Sequence, residues 1–107
     1  MASYLIQAAY TNEAWAALVK NPQNRTHAIK PVIEKLGGSI KGLWLAFGEY
    51  DAIGIVEMPD NASAAAFSLA AAAGGGVKAF KTTPLMTVEE GIEAMTKAGS
   101  CGYESPS

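Results

Sequence analysis

A short polar turn between two apolar runs constrains the fold more than any other feature of the sequence. The turn comprises residues 47–51 (FGEYD), and it lies between the β-prone runs 39–47 and 52–57. Glycine and aspartate in a short connection between two such runs are typical of a β-hairpin. The turn also brings the phenol of Tyr50 and the carboxylate of Asp51 close to the indole of Trp44. The hairpin is therefore the strongest structural signal in the sequence and the first candidate site.

Composition and charge exclude several classes of protein. The chain has 107 residues, of which 50% are hydrophobic and 17% charged, as expected for one compact core. The net charge is −2, so no nucleic-acid partner is expected. The longest apolar run, residues 64–73, is too short to span a bilayer, and no membrane association is expected. The single cysteine fits a reducing compartment, so we expect a cytoplasmic protein. One histidine and one cysteine give no set of metal ligands, and we expect neither a metal nor a cofactor.

Capping and periodicity signals predict the order β-α-β-β-α-β and one further helix. A strand is expected over residues 3–10, and a helical pattern begins after Thr11. That pattern restarts at Asn21-Pro22 and ends at Gly37-Gly38. The remaining predicted elements after the hairpin are a helix over 61–73, a strand over 77–83 and a helix over 88–97 that starts with a Thr87–Glu90 capping box.

This order predicts an α+β protein with a ferredoxin-like, four-stranded antiparallel sheet and helices on one face. We expect one domain over residues 1–98 and a flexible C-terminal tail over 99–107. The alanine-rich helix is interpreted as a tight packing surface and not as a site.

The strands carry apolar residues on both faces of the predicted sheet. Leu43 and Leu45 alternate with Trp44 in one run, and Ile53 alternates with Val56 in the next. Helices can cover only one of these faces. The sequence therefore predicts a homodimer or higher homo-oligomer through the uncovered sheet face.

Two residues of the second helical region are candidates for chemistry. Arg25 falls near the centre of an apolar stripe, where its cation needs an anionic ligand or a structural partner such as Asp51. His27 is the only histidine, but the helical wheel places it on the solvated side. A kink at Pro31 would change the direction of its ring.

Several segments together resemble one protein family. They are Gly48-x-Tyr50-Asp51 between two strands, Tyr10-Thr11 before the first helix, Asn21-Pro22-x-x-Arg25, Leu36-Gly37-Gly38, Val56-Glu57-x-Pro59-Asp60 and Gly76-Val77. In this order and spacing they resemble the GYD domain family, small bacterial proteins of poorly defined function. The resemblance implies a ferredoxin-like fold of the dimeric α+β barrel type. Proteins of that wider group include cofactor-independent monooxygenases, haem-binding enzymes and isomerases.

The leading prediction is a small homo-oligomer that binds an apolar or aromatic molecule between the helices and the sheet. The expected ligand-binding residues are Arg25, Trp44, Trp15 and Phe47. Three alternatives stay open: a cofactor-free isomerase or monooxygenase with Tyr50 and Asp51 as catalytic residues, a haem binder through His27, and an interaction module without a ligand.

Overall fold

The computed structural model describes residues 1–106 and confirms the predicted order of elements. The elements are β1 (Ala2–Tyr10), α1 (Asn12–Lys20), α2 (Thr26–Lys35), β2 (Ser39–Leu45), β3 (Ala52–Met58), α3 (Asn61–Ala73), β4 (Val77–Leu85) and α4 (Val88–Gly99). The four strands form one antiparallel sheet in the order β2-β3-β1-β4. This is the ferredoxin-like topology expected from the sequence.

The break between α1 and α2 differs from the prediction. Asn21-Pro22 was expected to restart the helix, and that placement is wrong, because α2 begins only at Thr26. The side-chain oxygen of Asn24 accepts a hydrogen bond from the backbone N–H of Thr26 at 3.0 Å. Such a local bond holds the preceding residues outside the helix. Residues 21–25 therefore form a connecting segment, and Arg25 stands at its end.

The other helix boundaries follow their capping residues. Asp60 caps α3 by accepting from the backbone N–H of Ser63 at 2.8 Å. Thr87 and Glu90 form the expected capping box at the start of α4. At the end of α2, Gly37 has a φ of +88° and the N–H of Gly38 donates to the carbonyl of Ile33. These features make a Schellman motif, which explains why the helix stops there.

One face of the sheet packs against α1, α2 and α3 and forms the core. Its buried strand residues alternate as a half-covered sheet requires, with Tyr4, Ile6 and Val56 pointing toward the helices. Ile33 of α2 and Met58 of β3 are fully buried at the centre. The core therefore lies between the sheet and the first three helices.

No helix of residues 1–106 covers the opposite face of the sheet, which is called here the open face. Cross-strand register places Trp44, Ile53, Gln7 and Lys81 in one row and Gly42, Ile55, Leu5 and Thr83 in the next. The open face is therefore apolar at its centre, as the sequence predicted, with a cation at the β4 edge.

The last helix stands away from the rest of the molecule. Every residue of α4 except Gly91 is exposed, and none is buried. The radius of gyration is 17.1 Å, whereas a compact chain of this length has about 13 Å.

The helices of residues 1–106 do not combine the length and the apolar character that a membrane span requires.

Candidate functional site

The carboxylate of Asp51 joins the hairpin to the end of β1 and to α1. Its Oδ2 atom accepts from the backbone N–H of Tyr10 at 2.9 Å and from the indole Nε1–H of Trp15 at 3.2 Å. The Trp15 ring packs edge-on against Tyr10, with 5.3 Å between the ring centroids. The backbone of Asp51 is also engaged, because its N–H donates to the carbonyl of Ala8. Asp51 therefore fixes three elements at one point.

The other hairpin residues lie beside this point. Tyr50 is half-buried, and its hydroxyl makes no hydrogen bond within the part of the chain that the structure describes. Phe47 is fully exposed at the tip of the turn. The strand β2 ends at Leu45, two residues earlier than the apolar run predicted, which places Phe47 in the loop.

A cleft of about 420 Å³ opens between α1 and α2 on one side and α3 on the other, above β1 and β4. Its width follows from small side chains on the facing walls. We call it the alanine cleft, and its small lining residues are Ala8, Ala14, Ala17, Ala28, Ala70 and Ala71. Larger apolar side chains close the bottom, including Phe67 and Phe80, whose rings lie 5.8 Å apart. A cleft of this size and lining suits a small apolar molecule.

Arg25 supplies the positive charge of the alanine cleft. Its guanidinium makes a long contact of 3.5 Å with the side-chain oxygen of Gln23. Within residues 1–106 it forms no ion pair with a carboxylate. The sequence left two roles open for this residue, and the structure does not pair it with Asp51, whose oxygen is bound by Tyr10 and Trp15. The cation is therefore free to bind an anion.

A second groove lies on the other side of α1, against β2. This indole groove has a volume of about 650 Å³ and is lined by Trp15, Leu43 and Trp44 among others. It shares Tyr10, Leu18, Gln23 and Arg25 with the alanine cleft. The two spaces therefore meet at the connection between α1 and α2, with Arg25 at the junction.

Three of the four predicted ligand-binding residues line one groove, although the ring of Trp44 lies over Gly42 on the open face. Trp15, Arg25 and Trp44 all line the indole groove, whereas Phe47 lies outside both spaces. Tyr50 and Asp51 line neither space, so a catalytic role for them stays a prediction. His27 is exposed on α2, as the helical wheel indicated, and lines neither space. Among residues 1–106 no group of three potential metal ligands occurs.

Reasoning from the sequence missed the part that alanine plays in the site. The alanine-rich helix was interpreted as a packing surface, yet Ala70 and Ala71 of α3 line the cleft. The signal was present in the spacing of small residues on α1, α2 and α3. It could not be interpreted without knowing that these helices face one another across a gap.

Comparison with known proteins supports this fold and identifies the family. A family model described as the GYD domain matches residues 4–95. The chain belongs to the GYD domain family. This confirms the resemblance drawn from the hairpin and the segments around it. No curated protein matches the chain at a significant level.

Two solved structures share the fold of this GYD-domain protein. The crystal structure of FFRP-DM1 is 16% identical, with a TM-score of 0.50, over 80% of this chain and 100% of that one. The hypothetical protein PHS023 from Pyrococcus horikoshii is 14% identical, with a TM-score of 0.51, over 81% of this chain and 92% of that one. At such identities the similarity concerns the fold alone.

Proposed function

We propose that this GYD-domain protein is a cytoplasmic homodimer that binds a small apolar or aromatic carboxylate in the alanine cleft. One observation carries the proposal: the guanidinium of Arg25 lines an apolar cleft and forms no ion pair with a carboxylate of residues 1–106. The apolar walls would hold the body of the ligand, and Arg25 would hold its charged end.

The physical case rests on the cost of leaving a cation beside apolar walls. Arg25 is half-buried, and within residues 1–106 the one hydrogen bond of its guanidinium is to the neutral side chain of Gln23. A carboxylate accepts two parallel hydrogen bonds from a guanidinium, and such charge-assisted bonds are about twice as strong as neutral ones. Binding would therefore satisfy donors that this part of the protein leaves open.

The charge of the site favours a monoanion. Arg25 is the one charged residue among those that line the alanine cleft. A single guanidinium matches a single carboxylate, and the whole chain carries a net charge of −2, which disfavours a polyanion. The ligand class that fits is therefore an aromatic or short aliphatic acid.

The partner in the proposed dimer is a second copy that covers the open face. The centre of that face carries the half-buried side chains of Leu5, Ile53 and Ile55, and no helix of residues 1–106 lies on it. A contiguous apolar surface that is left partly exposed is typical of an interaction site. The alanine cleft lies on the helix side of the sheet, so the two surfaces do not compete.

A larger side chain in the alanine cleft tests whether the ligand binds there. Ala70→Leu places three extra carbon atoms inside the alanine cleft, and we expect it to abolish binding of 4-phenylbutyrate in an NMR titration. Ala65→Leu is the matched control, because Ala65 is exposed on α3 and does not line the cleft. Equal binding of 4-phenylbutyrate by both variants would reject the alanine cleft as the site.

A further inference from the structure

The helix α4 has an apolar stripe that no other element of residues 1–106 buries. Val88, Ile92 and Met95 fall on one side of the helix at spacings of four and three residues. Their exposed fractions are 77%, 56% and 72%. On the other sides are Glu89, Glu90, Glu93 and Lys97. This pattern is that of a helix that packs against another surface.

A free helix of this length is marginal in water. Helices shorter than about 12 to 15 residues seldom persist without tertiary contacts, even with good capping. The 12 residues of α4 are held by the Thr87–Glu90 capping box and one Lys97–Glu93 ion pair at 3.2 Å. The exposed ion pair contributes little to stability, and the capping box fixes only the first turn of the helix. The helix therefore needs a surface outside its own chain.

We propose that α4 of one copy docks its apolar stripe on the open face of a second copy. The dimensions fit, since 12 helical residues span about 18 Å and four strands span about 14 Å between the outer strand axes. Each chain carries both surfaces. A two-fold dimer therefore buries both apolar stripes and covers both open faces through two identical contacts.

Charge complementarity favours this occupant over an unrelated partner. On the open face Lys41 is paired with Glu57 at 3.3 Å, whereas Lys81 forms no ion pair within residues 1–106. The helix carries three glutamates and one lysine, and Glu89 lies beside the stripe without an ion pair of its own in that part of the chain. The excess positive charge of the face thus meets the excess negative charge of the helix.

The dimer dissociation constant tests the stripe. By sedimentation equilibrium we expect Ile92→Glu to raise this constant at least about a hundredfold, because both copies lose a buried side chain. Ala94→Glu adds the same charge on the opposite flank and is expected to change it less than about threefold. Far-UV circular dichroism checks that both variants keep the helix. A monomeric wild-type protein, or equal constants for Ile92→Glu and the wild type, would overturn the proposal.

Cross-linking tests which surface receives the helix. Cys101, the single cysteine, is exposed two residues after α4 and accepts a thiol-linked benzophenone. In dimers mixed from ¹⁴N and ¹⁵N chains, we expect cross-links between chains that end on open-face residues of β1, β3 or β4. Cross-links confined to one chain, or joining α4 only to α4, would contradict it.

A charge exchange tests the proposed ionic contact. Lys81→Glu should weaken the dimer about tenfold, and adding Glu89→Lys in the same chain should restore it. Failure of Lys81→Glu to weaken the dimer would exclude docking on this face. The inference rests on the homodimer of the proposed function, but none of these outcomes depends on the ligand, because the alanine cleft lies on the other side of the sheet.

Discussion

At the scale of single residues, Asp51 has a structural role in addition to the catalytic one that is predicted for it. One carboxylate oxygen accepts from both Tyr10 and Trp15, and the two donors belong to different elements. A group held in this way orients its neighbours. The GYD-type turn is thereby fastened to β1 and α1.

Replacement of Asp51 measures that role. We expect Asp51→Ala to lower the free energy of unfolding by about 2 to 3 kcal/mol, because two partly buried donors lose their acceptor. Asp51→Asn keeps an oxygen acceptor and should cost about 1 kcal/mol. Urea unfolding followed by circular dichroism gives both values. If Asp51→Ala were as stable as the wild type, the carboxylate would not be a structural link.

The pH dependence of folding stability tests the role of Asp60 as the cap of α3. Hydrogen bonds from the backbone and side chain of Ser63 hold the pKa of the Asp60 carboxyl below its ordinary value. The folded state therefore favours the charged form. The stability that this charge contributes is fully present above the unfolded pKa, near 4, and is lost as the pH falls through the lower folded pKa.

The comparison uses Asp60→Ala. The stability difference between wild type and Asp60→Ala should be constant from about pH 5 to pH 8 and should shrink below about pH 4. Urea midpoints across that range measure it. A difference that grew on acidification would show that the charged cap is not the stabilising form.

At the scale of elements, α2 contains a residue that destabilises the helix. Pro31 lies inside the helix and cannot donate a hydrogen bond to the carbonyl four residues before it. The residue is exposed, so its replacement removes little packing. We expect Pro31→Ala to raise the free energy of unfolding by about 2 kcal/mol, because the hydrogen bond gained in the helix outweighs the entropy gained by the unfolded chain, which acts in the opposite direction.

Urea unfolding of Pro31→Ala beside Lys30→Ala checks this expectation. Lys30 is also exposed on α2, and its replacement should change stability by less than about 0.5 kcal/mol. A less stable Pro31→Ala protein would mean that the proline ring makes a contact that the single chain does not reveal.

At the scale of the whole molecule, most of the fold followed from local signals. The hairpin, the Gly37-Gly38 stop, the bounds of α3 and the Thr87 capping box were all predictable, because each depends on residues close in sequence. The start of α2 was not, since Asn24 and the Asn21-Pro22 pair are competing signals. The hydrogen bond from the backbone N–H of Thr26 to the side-chain oxygen of Asn24 decides between these two helix starts.

The candidate site was predictable only in part. Arg25 was identified from its position on an apolar stripe, and Trp15 and Trp44 from their ring chemistry. The alanine cleft was not, because a gap between helices depends on the distance between elements and leaves no pattern in either one. The exposure of α4 was likewise hidden, since an amphipathic helix has the same sequence whether its partner is its own chain or another.

The central claim is that the alanine cleft binds a carboxylate through Arg25. Its most direct test is an NMR titration with 4-phenylbutyrate and with 4-phenyl-1-butanol, which differ mainly in charge. Wild-type protein should bind the acid at least about tenfold more tightly than the alcohol. Arg25→Met keeps the apolar stem, and we expect it to remove that preference while leaving the affinity for the alcohol unchanged. Equal affinities of the wild-type protein for the two probes, or an undiminished preference in Arg25→Met, would contradict the claim.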